Sequence, residues 1–573
     1  MGLYISLNLT PTIASEQWDR FWCESLQLLK NFPLRFVRPA KHNTSYGFQK
    51  IWTDKLIAND ENGEYWEVAG DAESLVFGES VRLYRNIEYY RNQWRRLVTE
   101  KRPTNDDPLF CTSQDYAKSE YDDVPLAGLQ LFRSGTQGYP YHHAIVAVVT
   151  LAEHRFPLHS LAWDDLRPQE CNTVREWLSS LHHEDVLLPV CFDAARLWNR
   201  IEGACADIPT TMKRFEERFL GSPVQRIHRM LAESKTATME KLADDFLQYD
   251  QVTLGFRDLS KSFLEATNDL ELYLDLIGIR NSMAQSKESQ EKKHAVIKLE
   301  DVLKMLVKGF VSYSQWQGEE IRTLRHWLEL EGNVVQTINA TILKMGMPVF
   351  FDYYCPENDL LDAFIRREPA KRDLFHQVLQ DTLAKNSTAV DLIKDFVHSI
   401  EVQAESEASD DTENDDSEGR FTRLMRTEAS VQSGLPTPLT EESVALLGRF
   451  FGYHVGEMQR VMTGTEEVKF LNDPTGKNQR TALLAIIHQN DGRLLEEAIL
   501  EIERTDDVEL LKLFVAVAPS LFNDVFRREA PQLFGKGFEK IYPALWHLIN
   551  KPIWWKTFCE HRNDGYTEGQ PET

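Results

Sequence analysis

His142, His143, His154, His159, His182 and His183 fall in one stretch of the chain together with Cys171 and Cys191. These are the residue types of a zinc site or of a cysteine–histidine nucleophile. Zinc ligands come in compact pairs, and a catalytic cysteine sits in a local context that activates its thiol. Neither pattern is present, so the spacing predicts satisfied or exposed histidines, with no metal and no cofactor.

Asp473-Pro474-Thr475-Gly476-Lys477-Asn478 has the look of a phosphate loop, but Leu471 stands where the earlier glycine is required and Asn478 where a Ser or Thr would hold a metal. A helix-connecting turn is expected. His326 and Glu329 lie one helical turn apart but in the reverse order of a carboxylate-bundle motif, which fits a solvated helix face beside Trp327. Arg82, Arg85, Arg91, Arg95 and Arg96 interleave with Tyr84, Tyr89, Tyr90 and Trp94, as in grips on single-stranded nucleic acid. Leu83, Ile87, Tyr90, Trp94 and Leu97 recur at helical steps, so an amphipathic helix is expected. Trp554 and Trp555, with Ile553 and Phe558, are either a hot spot for a partner or the closure of a terminal core, and closure is expected.

None of these groups combines a nucleophile, a base and an oxyanion donor, and the chain is read as non-enzymatic. An unrecognised hydrolase in the N-terminal region is the rival, and a polar pocket converging on His142, His143 and Cys171 would favour it.

A different signal lies at 401–418, EVQAESEASDDTENDDSE, with nine acids, no base and no aromatic residue. Too little apolar area is present to offset the entropy of ordering, and self-repulsion should hold the segment extended. Arg420, Arg423 and Arg426 then reverse the charge, while Pro436 and Pro438 resist helix formation. Phe421, Leu424 and Met425 are the large apolar side chains before Val431, and the stretch Phe421 to Glu428 is expected to be exposed to a partner, which a protease would bind as an extended strand. An ordinary flexible linker and a short helix over Arg420 to Glu428 that docks on another protein are the alternatives.

Elements on either side must carry these residues. Leu3, Ile5, Leu7 and Leu9 alternate with polar residues, the period of a half-buried strand. Ser15 is the expected cap of a helix whose Trp18, Phe21, Trp22, Leu26 and Leu29 share a face. Leu34 to Val37 reads as extended and ends at Pro39; Ile51 to Ala58 and Glu64 to Val68 form a hairpin through Asn62-Gly63. Ala144 to Leu151 reads as a buried strand, with helices around Glu79 to Val98 and Val174 to Leu181. From about Pro209 the periodicity is helical, and it resumes after Thr440, a predicted N-cap with Glu441 and Glu442 in the first turn. Leu446, Phe450, Leu483, Ile487, Leu494, Ile499, Leu511, Val515, Phe522 and Leu545 are expected in the last helical core.

The expected architecture is an α+β domain over 1–205 and a mainly α-helical region over 206–400 packed with it. A disordered acidic linker over 401–440, a small all-α C-terminal domain over 441–560 and a disordered tail over 561–573 complete it. At 573 residues, 42% hydrophobic and 27% charged, two to four domains are expected. The net charge of −25 disfavours direct contact with nucleic acid. Seven cysteines without a C-x-x-C pair argue for a reducing compartment. No basic leader followed by an apolar run and no long apolar segment is seen, so a cytoplasmic protein without membrane contact is expected.

In length, in its large mixed N-terminal part, its charged connection carrying Leu424-Met425-Arg426 and its smaller helical C-terminal part, the chain resembles the substrate protein of Craspase, the RNA-activated caspase-like protease of type III-E CRISPR systems. In that family the protease cuts the connection after a methionine and before a lysine. The resemblance implies a scissile bond between Met425 and Arg426, preceded by Leu424, with arginine in place of lysine keeping the charge but changing its shape. It also implies bacterial antiviral defence and three partners: the guide-RNA-loaded protease complex, a companion CRISPR-associated protein, and an extracytoplasmic-function sigma factor. Cutting would end the high effective concentration that one chain gives its two halves. A two-domain adaptor that is never cut is the alternative, and a buried Met425 would favour it.

Overall fold

The computed structural model describes residues 3–100, 107–110, 129–249, 251–286, 295–315, 353, 355–384, 421–426, 439–449, 473–489, 492–522 and 538–567. An N-terminal region of strands and helices is followed by mostly helical residues. Two compact units result, one formed by 1–190 together with 415–573 and the other by 191–414.

In the first unit β1 (Tyr4–Leu9) is the middle strand of an antiparallel sheet, between β7 (Leu129–Gly135) and β8 (Ser160–Asp164). Ile5, Leu7 and Leu9 are buried as expected, while Leu3 is half-buried; Ser6 and Asn8 are buried too, so both faces of this strand are covered. Helix α1 (Ser15–Asn31) buries Trp18, Phe21, Trp22, Leu26 and Leu29 on one face. Its cap is Ala14 rather than Ser15; Ser15 is the first helical residue, and its hydroxyl accepts from Arg91 at 3.2 Å.

A second sheet runs β4 (Ile57–Asp60), β5 (Gly63–Asp71), β2 (Phe36–Thr44), β3 (Gly47–Thr53), β9 (Leu494–Leu495), with β6 (Phe77–Tyr84) also on β5. The hairpin predicted at Asn62-Gly63 is present, with Asp60 opposite Gly63 and Gly63 at φ +117°. Strand β2 does not stop at Pro39. Its ladder to β5 is confined to Phe36 and Val37, so on that side Pro39 lies on an edge, where a missing N–H is tolerated.

Two sequence readings fail here. Residues 79–84 belong to a strand, and the helix α2 begins only at Ile87 (Ile87–Glu100). Ala144 to Leu151 is not a strand but the middle of α3 (Tyr141–Arg155), whose residues 141–153 are all buried; an apolar run hydrophobic on every side has no period to distinguish the two. Helix α4 (Pro168–His182) covers the helix predicted at Val174 to Leu181.

The second unit is helical from Ala194–Glu202 to 372–384, around a core that includes Phe246, Phe256, Phe263, Tyr273, Leu306 and Phe364. Arg280 is fully buried there and donates to the carbonyls of Tyr249, Ala295 and Phe246.

Residues 441–560 were expected to stand alone, yet they share a unit with 1–190, and the first boundary falls at 190/191 rather than 205. The cause is visible in the β3–β9 pairing: Ile51 joins the core formed by Val444, Leu483, Leu511, Leu545 and Phe558. Thr440 caps the next helix as predicted, accepting from the Ser443 amide at 3.2 Å. Leu446 is exposed rather than core. The acidic segment 401–418, His326 to Glu329 and residues 427–438 lie outside the described residues, as does 568–573 of the predicted tail; a polar connection expected at Gln285 to Lys293 is helical at 285–286 and outside the described residues from 287; 561–567 belong to a helix.

Candidate functional site

The six histidines do not converge. His142, at the start of α3, is buried, with Nδ1 2.5 Å from the Thr136 hydroxyl and Nε2 3.3 Å from Glu170. Burial works against the Glu170 carboxylate, yet its hydrogen bond with His142 and the nearby imidazoles and Arg167 hold it below the ordinary range. Thr136 is itself fully buried, so its hydroxyl offers no approach to a substrate. Cys171 is buried beside Glu170; desolvation, with the charges of Glu170 and Glu153, pushes its thiol far up, the reverse of what a nucleophile requires. His154 accepts the Leu187 amide at 3.3 Å, beside the Arg155–Glu184 pair, and His159 meets Thr12 at 3.2 Å. Among the described residues no cluster of three or more His, Cys, Asp or Glu could hold a metal.

The phosphate-loop resemblance resolves into a capped turn. Asp473 accepts from Thr475 N–H at 3.0 Å, from its hydroxyl, and from Asn478 N–H at 3.1 Å, ahead of the helix Lys477–Gln489. A carboxylate thus occupies the amides that a phosphate would need. The arginines of 82–91 are likewise committed inside the fold: Arg82 to Glu67, Arg85 to Asp19 and Glu64, and Arg91 to the carbonyls of Pro11 and Ile13. Trp555 closes the terminal core, donating to the Leu548 carbonyl at 2.8 Å, while Ile553 is 79% exposed.

Leu424, Met425 and Arg426 lie in the helical turns 421–426. The expected exposure of this stretch holds for Leu424, 40% exposed, and for Arg426, but not for Phe421 at 2% or Met425 at 0%. Phe421 stacks on Trp177 of α4 at 4.9 Å and meets Phe32 edge-on at 5.4 Å. Positions 421 and 425 are one turn apart, so a helix points both at the same seat, whereas a strand would not. Residues 421–426 are helical, as the docking-helix alternative had it, but Phe421 seats on this chain's own Phe32 and Trp177, which the sequence did not single out, rather than on another protein.

Farther along, β9 adds to the edge of β3 in parallel, with Ile51 opposite Leu494 and Trp52 opposite Leu495. Successive residues of a strand face opposite ways. Ile51 and Leu494 accordingly enter the C-terminal core, while Trp52 and Leu495 enter a second cluster with Val37, Ala69 and Leu75. Charges border the seam: Arg35 bonds Glu497 at 3.0 and 2.8 Å, Lys55 bonds Glu496 at 2.6 Å, and Glu503 accepts from Ser45. A cavity of about 200 Å³ between Arg35, Trp52, Lys55, Leu495 and Glu496 marks the join. Two leucines in a row carry no periodicity, so nothing in the sequence announced this strand.

No protein-family model, no curated protein and no solved structure matches the chain.

Proposed function

We propose that the chain is a non-enzymatic regulator of a type III-E CRISPR defence system, cut between Met425 and Arg426 by an RNA-activated caspase-like protease so that its fragments act on partners such as a sigma factor. The observation that bears most directly on the reading is the two-point seat of 421–426. Phe421 and Met425 are buried, while Leu424 and Arg426 face outward. Lifting two such side chains costs on the order of 3–6 kcal/mol, which leaves the bond open in about one molecule in 10² to 10⁴. A seat of that strength keeps the resting protein intact and yields to a protease that captures the opened strand.

Burial of Met425 also favours a second reading, an adaptor that binds partners without being cut. Incubation of the purified chain with the guide-loaded, activated protease separates the two. Cleavage at 425/426 that accelerates in Phe421→Ala and disappears in Met425→Glu supports the regulator; an intact chain in both the native protein and Phe421→Ala supports the adaptor.

A further inference from the structure

We infer that scission between 421 and 438 does not by itself separate the chain, and that 1–425 and the C-terminal segment persist as a two-chain complex until something competes for the edge of β3. The inference rests on contacts within one compact unit and stands whether or not the natural protease is the one proposed above.

The positions of the anchors relative to the bond carry the first half of the argument. Phe421 and Met425 both precede Arg426, and the rings that receive Phe421, those of Phe32 and Trp177, belong to the N-terminal part. A cut after Met425 therefore leaves the Phe421 ring contacts, with the acidic 401–418 sequence, on one side. Those ring contacts do not link the two fragments.

What holds the C-terminal fragment lies beyond the cut. Leu494 and Leu495 complete the ladder of β3 and send one side chain into each of two cores, so removing β9 opens both. The Leu495 amide is further fixed by Asn550 at 2.8 Å, which keeps the strand presented by its own helices. Around this apolar pair the hydrogen-bonded ion pairs run one way, although Arg493 of the C-terminal part also lies over the Trp52 ring at 4.9 Å. The N-terminal part supplies the cations Arg35 and Lys55; the C-terminal part supplies Glu496, Glu497 and Glu503. An apolar pair followed by two carboxylates is thus the chemistry that the β3 edge recognises, by strand addition with pockets for alternate side chains. A partner that takes the C-terminal fragment away must cover or replace Leu494 to Glu497.

The test uses the full chain with a Gly/Ser-flanked site for an unrelated sequence-specific protease inserted between 427 and 438. After complete cutting at about 0.1 M salt the two fragments are expected to co-elute in size-exclusion chromatography. At about 1 M salt, where exposed pairs are screened, their dissociation rate should rise. Arg35→Glu should weaken the cut complex about tenfold, and Arg35→Glu with Glu497→Arg should restore most of that loss. Circular dichroism of the uncut variants confirms that each is folded. Fragments that part at low salt as soon as they are cut overturn the inference. So does a cut complex indifferent to both Arg35→Glu and the exchanged pair.

Discussion

Arg35 donates through both terminal nitrogens to the two carboxylate oxygens of Glu497, across 462 residues of sequence. The geometry is two-pronged, but both side chains remain partly open to water, which screens the pair. A double-mutant cycle with Arg35→Ala and Glu497→Ala should return a coupling of about 1 kcal/mol in urea unfolding. A coupling near zero would remove the pair from the forces that close the seam.

Phe421→Ala takes away the ring lodged between Trp177 and Phe32. The expected cost is about 3 kcal/mol, confined to the local opening of 421–426. Amide exchange there should accelerate about a hundredfold while exchange in β5 stays unchanged. Equal acceleration in both places would mean that the turn is an integral part of the core rather than a seated segment.

His547 is buried, and desolvation with the nearby Lys551 pushes its imidazole down to about 4. A base whose folded value lies below its free value favours folding while neutral. Its contribution, roughly 3 kcal/mol, is present above pH 6.5 and fades as pH falls towards 4. Asp71 acts in the opposite direction: burial raises its carboxyl to about 6, so its contribution is present below pH 3.8 and lost as pH rises through 6. His547→Gln should therefore flatten the decline in stability between pH 6.5 and 4. An acid limb as steep in that variant as in the native chain would refute the assignment.

Arg280 holds three carbonyls inside the helical unit. Arg280→Leu leaves those acceptors without their guanidinium and should cost about 3–5 kcal/mol by denaturant titration. Arg280→Lys should recover only part, because an ammonium cannot span the same fork. Full stability in the lysine variant would show that charge alone suffices.

Cysteine labelling tests the hydrolase rival. Cys23 is exposed and Cys171 fully buried with a raised thiol. Iodoacetamide should modify Cys23 in the native protein and reach Cys171 only after denaturant is added. Rapid native labelling of Cys171 would reopen the case for a nucleophile there.

What the sequence made legible follows period and cap chemistry. The buried face of α1, the Asn62-Gly63 hairpin, the Thr440 cap and the Asp473 turn each rest on residues adjacent in sequence. Where the deciding partner is remote, the reading failed. Ala144 to Leu151 is hydrophobic all round because it is a core helix, and Phe421 looked exposed because Phe32 and Trp177 are far upstream. The strand at Leu494 and Leu495 exists only because β3 offers it an edge.

That edge has a consequence during synthesis. Glu496 follows Thr53 by 443 residues, so a ribosome adding about 5–20 residues each second completes β3 on the order of 20–90 s before its neighbour emerges. Residues 191–414 are translated and can fold within that interval, as an insertion inside a still unfinished unit. On crowded polysomes the waiting edge is equally available to the late strand of another copy, which makes domain-swapped dimers the characteristic misassembly of this topology.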